Sequence, residues 1–172
     1  MKNLRLLTVF AFLFIGSFSL TAQEIGVVSI EEIFNALPAK KSADETMDKM
    51  VNAHKTEIEK RENALKAIEE AVQTKVGGKS QQEIQGMAAE LESMQKDYMG
   101  KQQELVTYQQ AAAKEVNEKE NALMKPIEQT VKNSIDKIAA AKGLKYVLEK
   151  GMLIYANGMD ITADVKKDLG IQ

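Results

Sequence analysis

From Met47 to Tyr108 the apolar positions recur at alternating spacings of three and four. One stripe holds Met47, Val51, His54, Ile58, Arg61, Leu65, Ile68 and Val72; after Val76-Gly77-Gly78-Lys79 the alternation resumes at Ile84, Met87, Leu91, Met94, Tyr98, Lys101, Leu105 and Tyr108. A 3.5-residue apolar repeat keeps one stripe against a partner helix, so each run reads as half of a coiled-coil seam. The two halves mirror each other about the glycine pair. Folded back, Val72 meets Ile84, Leu65 meets Leu91, Arg61 meets Met94, His54 meets Lys101 and Met47 meets Tyr108. The pattern predicts an intramolecular antiparallel helical hairpin with its turn at 76–79. Two glycines free the backbone to end one helix, and Ser80 with Glu83 is a capping-box signature for the next.

The first helix begins after Pro38, whereas helical pattern continues past Tyr108 to Lys142. At ~1.5 Å per residue the shared hairpin is on the order of 50 Å long and the second helix on the order of 90 Å. Beyond Leu105 the period changes: Leu105, Val116, Ile127 and Ile138 are eleven apart, as are Ala112 and Leu123. An eleven-residue repeat gives a straighter or right-handed helix, as expected where the arm leaves its partner. Pro126 lies in this part, and an interior proline kinks or breaks a helix.

The ends of the chain read differently. Glu24–Ile30 is a short, β-branched apolar run, a buried strand, followed by one helical turn to Leu37. After Gly143, a helix C-cap, come strand-like runs at Tyr146–Glu149 and Leu153–Ala156, joined by Lys150-Gly151 as a hairpin turn. A final helix starts at Thr162, read as its N-cap. The fold class is therefore α+β: a small β-rich head of about three strands with short helices, and a long helical hairpin arm. The head segments are 23–38 and 126–172, and the arm is 39–125. So small a head needs a covering, and self-association through Ile25, Val27, Val28, Ile30, Val147, Leu153, Ile154 and Tyr155 supplies it.

Residues 1–22 read as an export signal: Lys2 and Arg5, then an apolar run from Leu6 to Ile15 too short for a membrane span, then a cleavage site near Thr21-Ala22. The chain has no cysteine, which excludes disulfides, thiolate metal ligands and a lipidated cysteine. Of 23 basic and 25 acidic side chains, loss of Lys2 and Arg5 leaves 21 and 25, a formal charge of about −4. That balance, with few aromatics and no tryptophan, argues against nucleic acid.

No catalytic constellation is present. His54 is the only histidine, sits at a seam position and lacks a ligand cluster, and Gly77-Gly78 is explained by the turn, so neither enzyme activity, a metal nor a cofactor is expected. Methionine is flexible and polarisable, which suits a surface that holds varied apolar partners. Met47, Met87 and Met94 fill the seam, whereas Met50, Met99 and Val106 lie off it, with Met50 across from Val106. These three are the candidate client-binding patch; alternatively they widen the hairpin core or meet a neighbouring protomer. Gly86 and Gly100 inside the second helix, and the polar pair His54 and Lys101 in the seam, predict arms that bend; alternatively the polar pair fixes register.

The N-terminal GVVSIEEIF, the long charged hairpin and the C-terminal GLKYVLEKGMLIYANGMDITADVKKDLG together resemble the Skp (OmpH-like) family of periplasmic chaperones, with Asp160–Val165 the most specific piece. The resemblance implies a homotrimer whose heads share a β core and whose arms enclose a cavity. There the family holds unfolded outer-membrane β-barrel proteins in the periplasm without ATP. The tip departs from the family's basic pattern, offering only Lys75 and Lys79 among Glu69, Glu70 and Glu83, so charge gives no support for membrane or lipopolysaccharide contact there. The competing reading is a structural coiled-coil adaptor that tethers envelope components.

Overall fold

The computed structural model describes residues 25–171, and the expected export signal lies outside them. The elements are β1 (Ile25–Val28), α1 (Ile30–Ala36), α2 (Pro38–Val76), α3 (Gln81–Gly86), α4 (Ala88–Ala141), β2 (Tyr146–Glu149), a 3-10 turn (Lys150–Met152), β3 (Met159–Asp160) and α5 (Thr162–Asp168). They form two compact units: a head of residues 25–36 and 130–171, and an arm of Leu37–Gln129.

In the head, β1 is the central strand of a three-stranded sheet of order β2-β1-β3, and both neighbours run parallel to it. This corrects the expected hairpin. Glu149 caps the 3-10 turn, its Oε1 accepting from the Gly151 amide at 3.3 Å. Residues 153–158 form no strand, and the chain returns to the other edge of β1 at Met159. Parallel pairing demands such a crossover. The return passes close to β1: a Cβ on Gly158 would sit 3.2 Å from the Ile25 carbonyl oxygen and 3.4 Å from Val27 Cγ1.

Helix α1 starts where its free amides find acceptors. Ser29 Oγ accepts from the Glu32 amide at 3.2 Å and Glu149 Oε2 from the Ile30 amide at 2.9 Å. Ser29 also donates its own amide to Thr162 Oγ1, buried at 2.9 Å. Thr162 is thus the first residue of α5 and not its cap; the Asp160 carboxylate accepts from the Thr162 amide at 2.9 Å. Ile33, Ile161 and Val165 are the fully buried side chains of the head, joined by Val27, Val28 and Val131. Burial of each large side chain stabilises by about 1.5–3 kcal/mol. At the end of α4, the Gly143 amide bonds Ala140 and the Leu144 amide bonds Ala139, which is the glycine-terminated Schellman closure.

In the arm, Pro38 is the first residue of α2, where a missing amide costs nothing. Helix α4 runs through Pro126 without a break, so the proline does not end it. The interruption falls instead at Met87, between α3 and α4.

Candidate functional site

The arm carries the candidate site. From α3 into α4 the exposure follows the apolar spacing: between Ile84 and Tyr108 the half-buried residues are Ile84, Met87, Leu91, Met94, Tyr98, Lys101, Leu105 and Tyr108, and those between them are exposed. On α2, Leu65 is buried, Met47, His54, Ile58, Arg61, Ile68 and Val72 are half-buried, and Val51 is exposed.

The register across the seam differs from the one the sequence predicts. Ile68, Val72 and Val76 line a single groove with Leu91, Met94 and Tyr98. Tyr98 donates to Glu69 Oε1 at 2.7 Å, which raises the tyrosine's pKa above its usual value. Lys75 pairs with Glu90 at 2.7 Å. Each α2 residue therefore faces a position about 11 residues further along α4 than expected, or three helical turns, ~16 Å. The cause is at the tip. Reversal occupies residues 77–87, because α3 is folded as a separate turn of helix whose Ser80 amide and hydroxyl both donate to Glu83 Oε2, at 2.8 and 2.6 Å. These bonds hold the Glu83 carboxyl below its usual pKa.

The shift rewrites the middle of the arm. His54 does not face Lys101, nor Arg61 Met94. His54 Nδ1 lies 2.9 Å from Tyr108 Oη, and the Arg61 guanidinium sits 4.5 Å from the centre of the Tyr108 ring. Arg61 also bonds Glu57 on its own helix at 2.9 Å and approaches Glu104 at 3.9 Å. Lys101 pairs with Asp97 at 3.7 Å. A polar layer does cross the seam, built from partners that the heptad pattern could not name.

Of the off-seam residues, Met99 is 61% and Val106 41% exposed, one heptad apart on one face of α4. Beside Met99, Gly100 helps to shape a shallow groove with Glu92, Gln95, Lys96 and Gln103. Met50 is half-buried. It lies one turn before His54, whose partners are Tyr108 and Glu115, so it faces residues beyond Tyr108 and not Val106. Gly86 ends α3, and Gly100 lies within α4.

In the head, Val27 and Val28 are buried by the chain itself, Val147 and Leu153 are half-buried, and Ile25 and Ile30 are exposed. Ile154 is fully exposed and Tyr155 80% exposed. The sequence reading passed over Met152, 84% exposed, and the exposed Tyr146 and Leu148 of β2. Alternation along β2 was the signal that could have flagged its open face. Lys150 on one side of the exposed run bonds Asp160 on the other at 2.8 Å. With Thr162 this holds the Asp160 carboxyl at about 2. Among the described residues no cluster of histidine, aspartate and glutamate could hold a metal ion, and no helix is long and apolar enough to cross a membrane.

A three-stranded parallel sheet in the head and an antiparallel helical arm, each with exposed apolar residues, define an arm-bearing α+β protein. The chain belongs to the OmpH-like outer membrane protein family, whose model matches residues 24–169. It is 25% identical over 149 residues to proteins named chaperone protein Skp from Pectobacterium atrosepticum and Photorhabdus luminescens, covering 86% of this chain and 86% of each relative. A crystal structure from Caulobacter crescentus CB15 described as OmpH-like has the same fold, with a TM-score of 0.66, 19% identity, and coverage of 90% of this chain and 88% of that one.

Proposed function

We propose that this chain is an ATP-independent periplasmic holdase that binds unfolded outer-membrane β-barrel proteins between helical arms and prevents their aggregation. The observation that carries the reading is the family match along nearly the whole described chain, to relatives named as chaperones. Physical features support it. Met99 and Val106 stand exposed on α4 as single apolar contacts separated by polar residues, dispersed enough to hold a client without driving the arms to aggregate. In the head, Met152, Ile154 and Tyr155 form an exposed apolar run that association of copies would cover; we take the assembly to be a homotrimer. Residues 1–22 would direct export. An adaptor tethering envelope components calls for a dry, regular seam, and the His54, Arg61 and Tyr108 layer disfavours it.

The test is site-specific photo-crosslinking. A photoreactive residue is placed at Met50, Met99, Val106 or the exposed control position Glu62, and an unfolded outer-membrane β-barrel protein is added. Adducts at Met99 and Val106 well above those at Glu62 are expected. Equal yields at all four would remove the patch, and no adduct at any would remove the holdase.

A further inference from the structure

His54 is the only histidine in the chain, and imidazole is the side chain whose charge ordinarily changes between about pH 5 and 8. Its two nitrogens are unequally served. Nδ1 shares a hydrogen bond with Tyr108 Oη at 2.9 Å, whereas Nε2 is buried without a hydrogen-bond partner. An orphaned buried polar atom calls for an explanation. Nε2 lies 3.6 Å from Glu115 Oε2, on a side chain 63% exposed and so free to move.

We infer that His54 is a protonation-dependent staple between α2 and α4. Neutral imidazole has one N–H to give; protonated imidazole donates from both nitrogens. In the protonated state Nδ1–H donates to Tyr108 Oη while Nε2–H donates to the Glu115 carboxylate, a small side-chain rotation closing the 3.6 Å separation into a charge-assisted bond. Both acceptors lie on α4, so protonation adds a second tie across the seam. From α2 the layer presents Arg61 and Glu57, with Lys60 paired to Glu57 at 3.6 Å, and from α4 it presents Tyr108, Glu104 and Glu115. Three carboxylates, Glu57, Glu104 and Glu115, against two cations, Arg61 and Lys60, leave the layer with one net negative charge while His54 is neutral. The arm is accordingly tied more tightly under mild acid and released as the pH rises, independently of what the arm binds.

The experiment is hydrogen exchange on the full mature chain, read as protection factors to remove the intrinsic pH dependence, at about pH 8 and about pH 5.5, within the ordinary titration range of histidine. An exposed ion pair is worth roughly 0.2–1 kcal/mol, so protection of amides near residues 54–61 and 104–112 should rise about 1.5- to fivefold on acidification. The rise should vanish in His54→Gln and in Glu115→Gln. Unchanged or reduced protection in the unsubstituted chain, or the same rise in His54→Gln, overturns the inference. Because His54→Gln could loosen the arm outright, the imidazole resonances of the unsubstituted chain and of Glu115→Gln give a second reading. The titration midpoint should be lower in the variant, and equal midpoints overturn the staple.

Discussion

Tyr108 is the residue on which the middle of the arm depends. Its hydroxyl meets His54 Nδ1 at 2.9 Å and its ring carries the Arg61 guanidinium at 4.5 Å. Tyr108→Phe removes the hydrogen bond alone and should cost about 1 kcal/mol. Tyr108→Leu also removes the aromatic face, and a cation over a ring at a partly exposed site adds about 0.5–1 kcal/mol, for a total of about 1.5–2 kcal/mol. Arg61 is one-third exposed, so the lower half of that range is the better figure. The assay is urea unfolding followed by circular dichroism at fixed protomer concentration, with Arg61→Ala, Tyr108→Leu and the double variant. A coupling energy of about 0.5 kcal/mol or more is expected. Coupling indistinguishable from zero would refute the stack and with it the register, since in the register read from the heptads Arg61 faces Met94 and never meets Tyr108.

Gly100→Ala should stabilise the arm by up to about 1 kcal/mol, because an added Cβ meets nothing within 4 Å and alanine is the better helix former; a lower melting temperature would contradict this. Ile161→Ala removes a fully buried head side chain and should cost about 2–5 kcal/mol in urea unfolding, whereas a loss under 1 kcal/mol would mean that the head core is not packed as described. Asp160, held at about 2 against an ordinary 3.8, contributes stability that is present above the higher value and lost as the pH falls towards the lower. Its side chain is 40% exposed, so the contribution is at most about 1 kcal/mol, and Asp160→Asn should lose correspondingly less stability between about pH 4 and 2; equal losses would rule it out.

The seam was legible because burial of one stripe is all that a heptad pattern encodes. The eight positions from Ile84 to Tyr108 that the spacing picks out are the half-buried ones, and Leu65 and Ile68 answer them from α2. Register was not legible, because a slide of three helical turns returns every stripe to the same face. What fixes it is local to the tip: Glu83 bonded to Ser80 builds a separate helix, and Ile84 and Met87 are spent on the reversal instead of the seam. In the head, the β-branched run around Val27 and Val28 marked a strand covered on both faces. The run Leu153–Ala156 looks equally strand-like, but the Glu149 carboxylate turns the chain at Gly151 and the close approach at Gly158 carries it across β1, two long-range events with no periodic signature. The polar layer was half legible: His54 and Arg61 were visible as polar seam positions, but their partners depend on the register.

The most direct measurement is light scattering after a urea-unfolded outer-membrane β-barrel protein is diluted into buffer, with and without the mature chain and without nucleotide. The account predicts that aggregation is suppressed at a ratio near three chains per client. Turbidity that stays unchanged across a wide excess of the chain would contradict the holdase and leave the arm as a scaffold for a fixed partner.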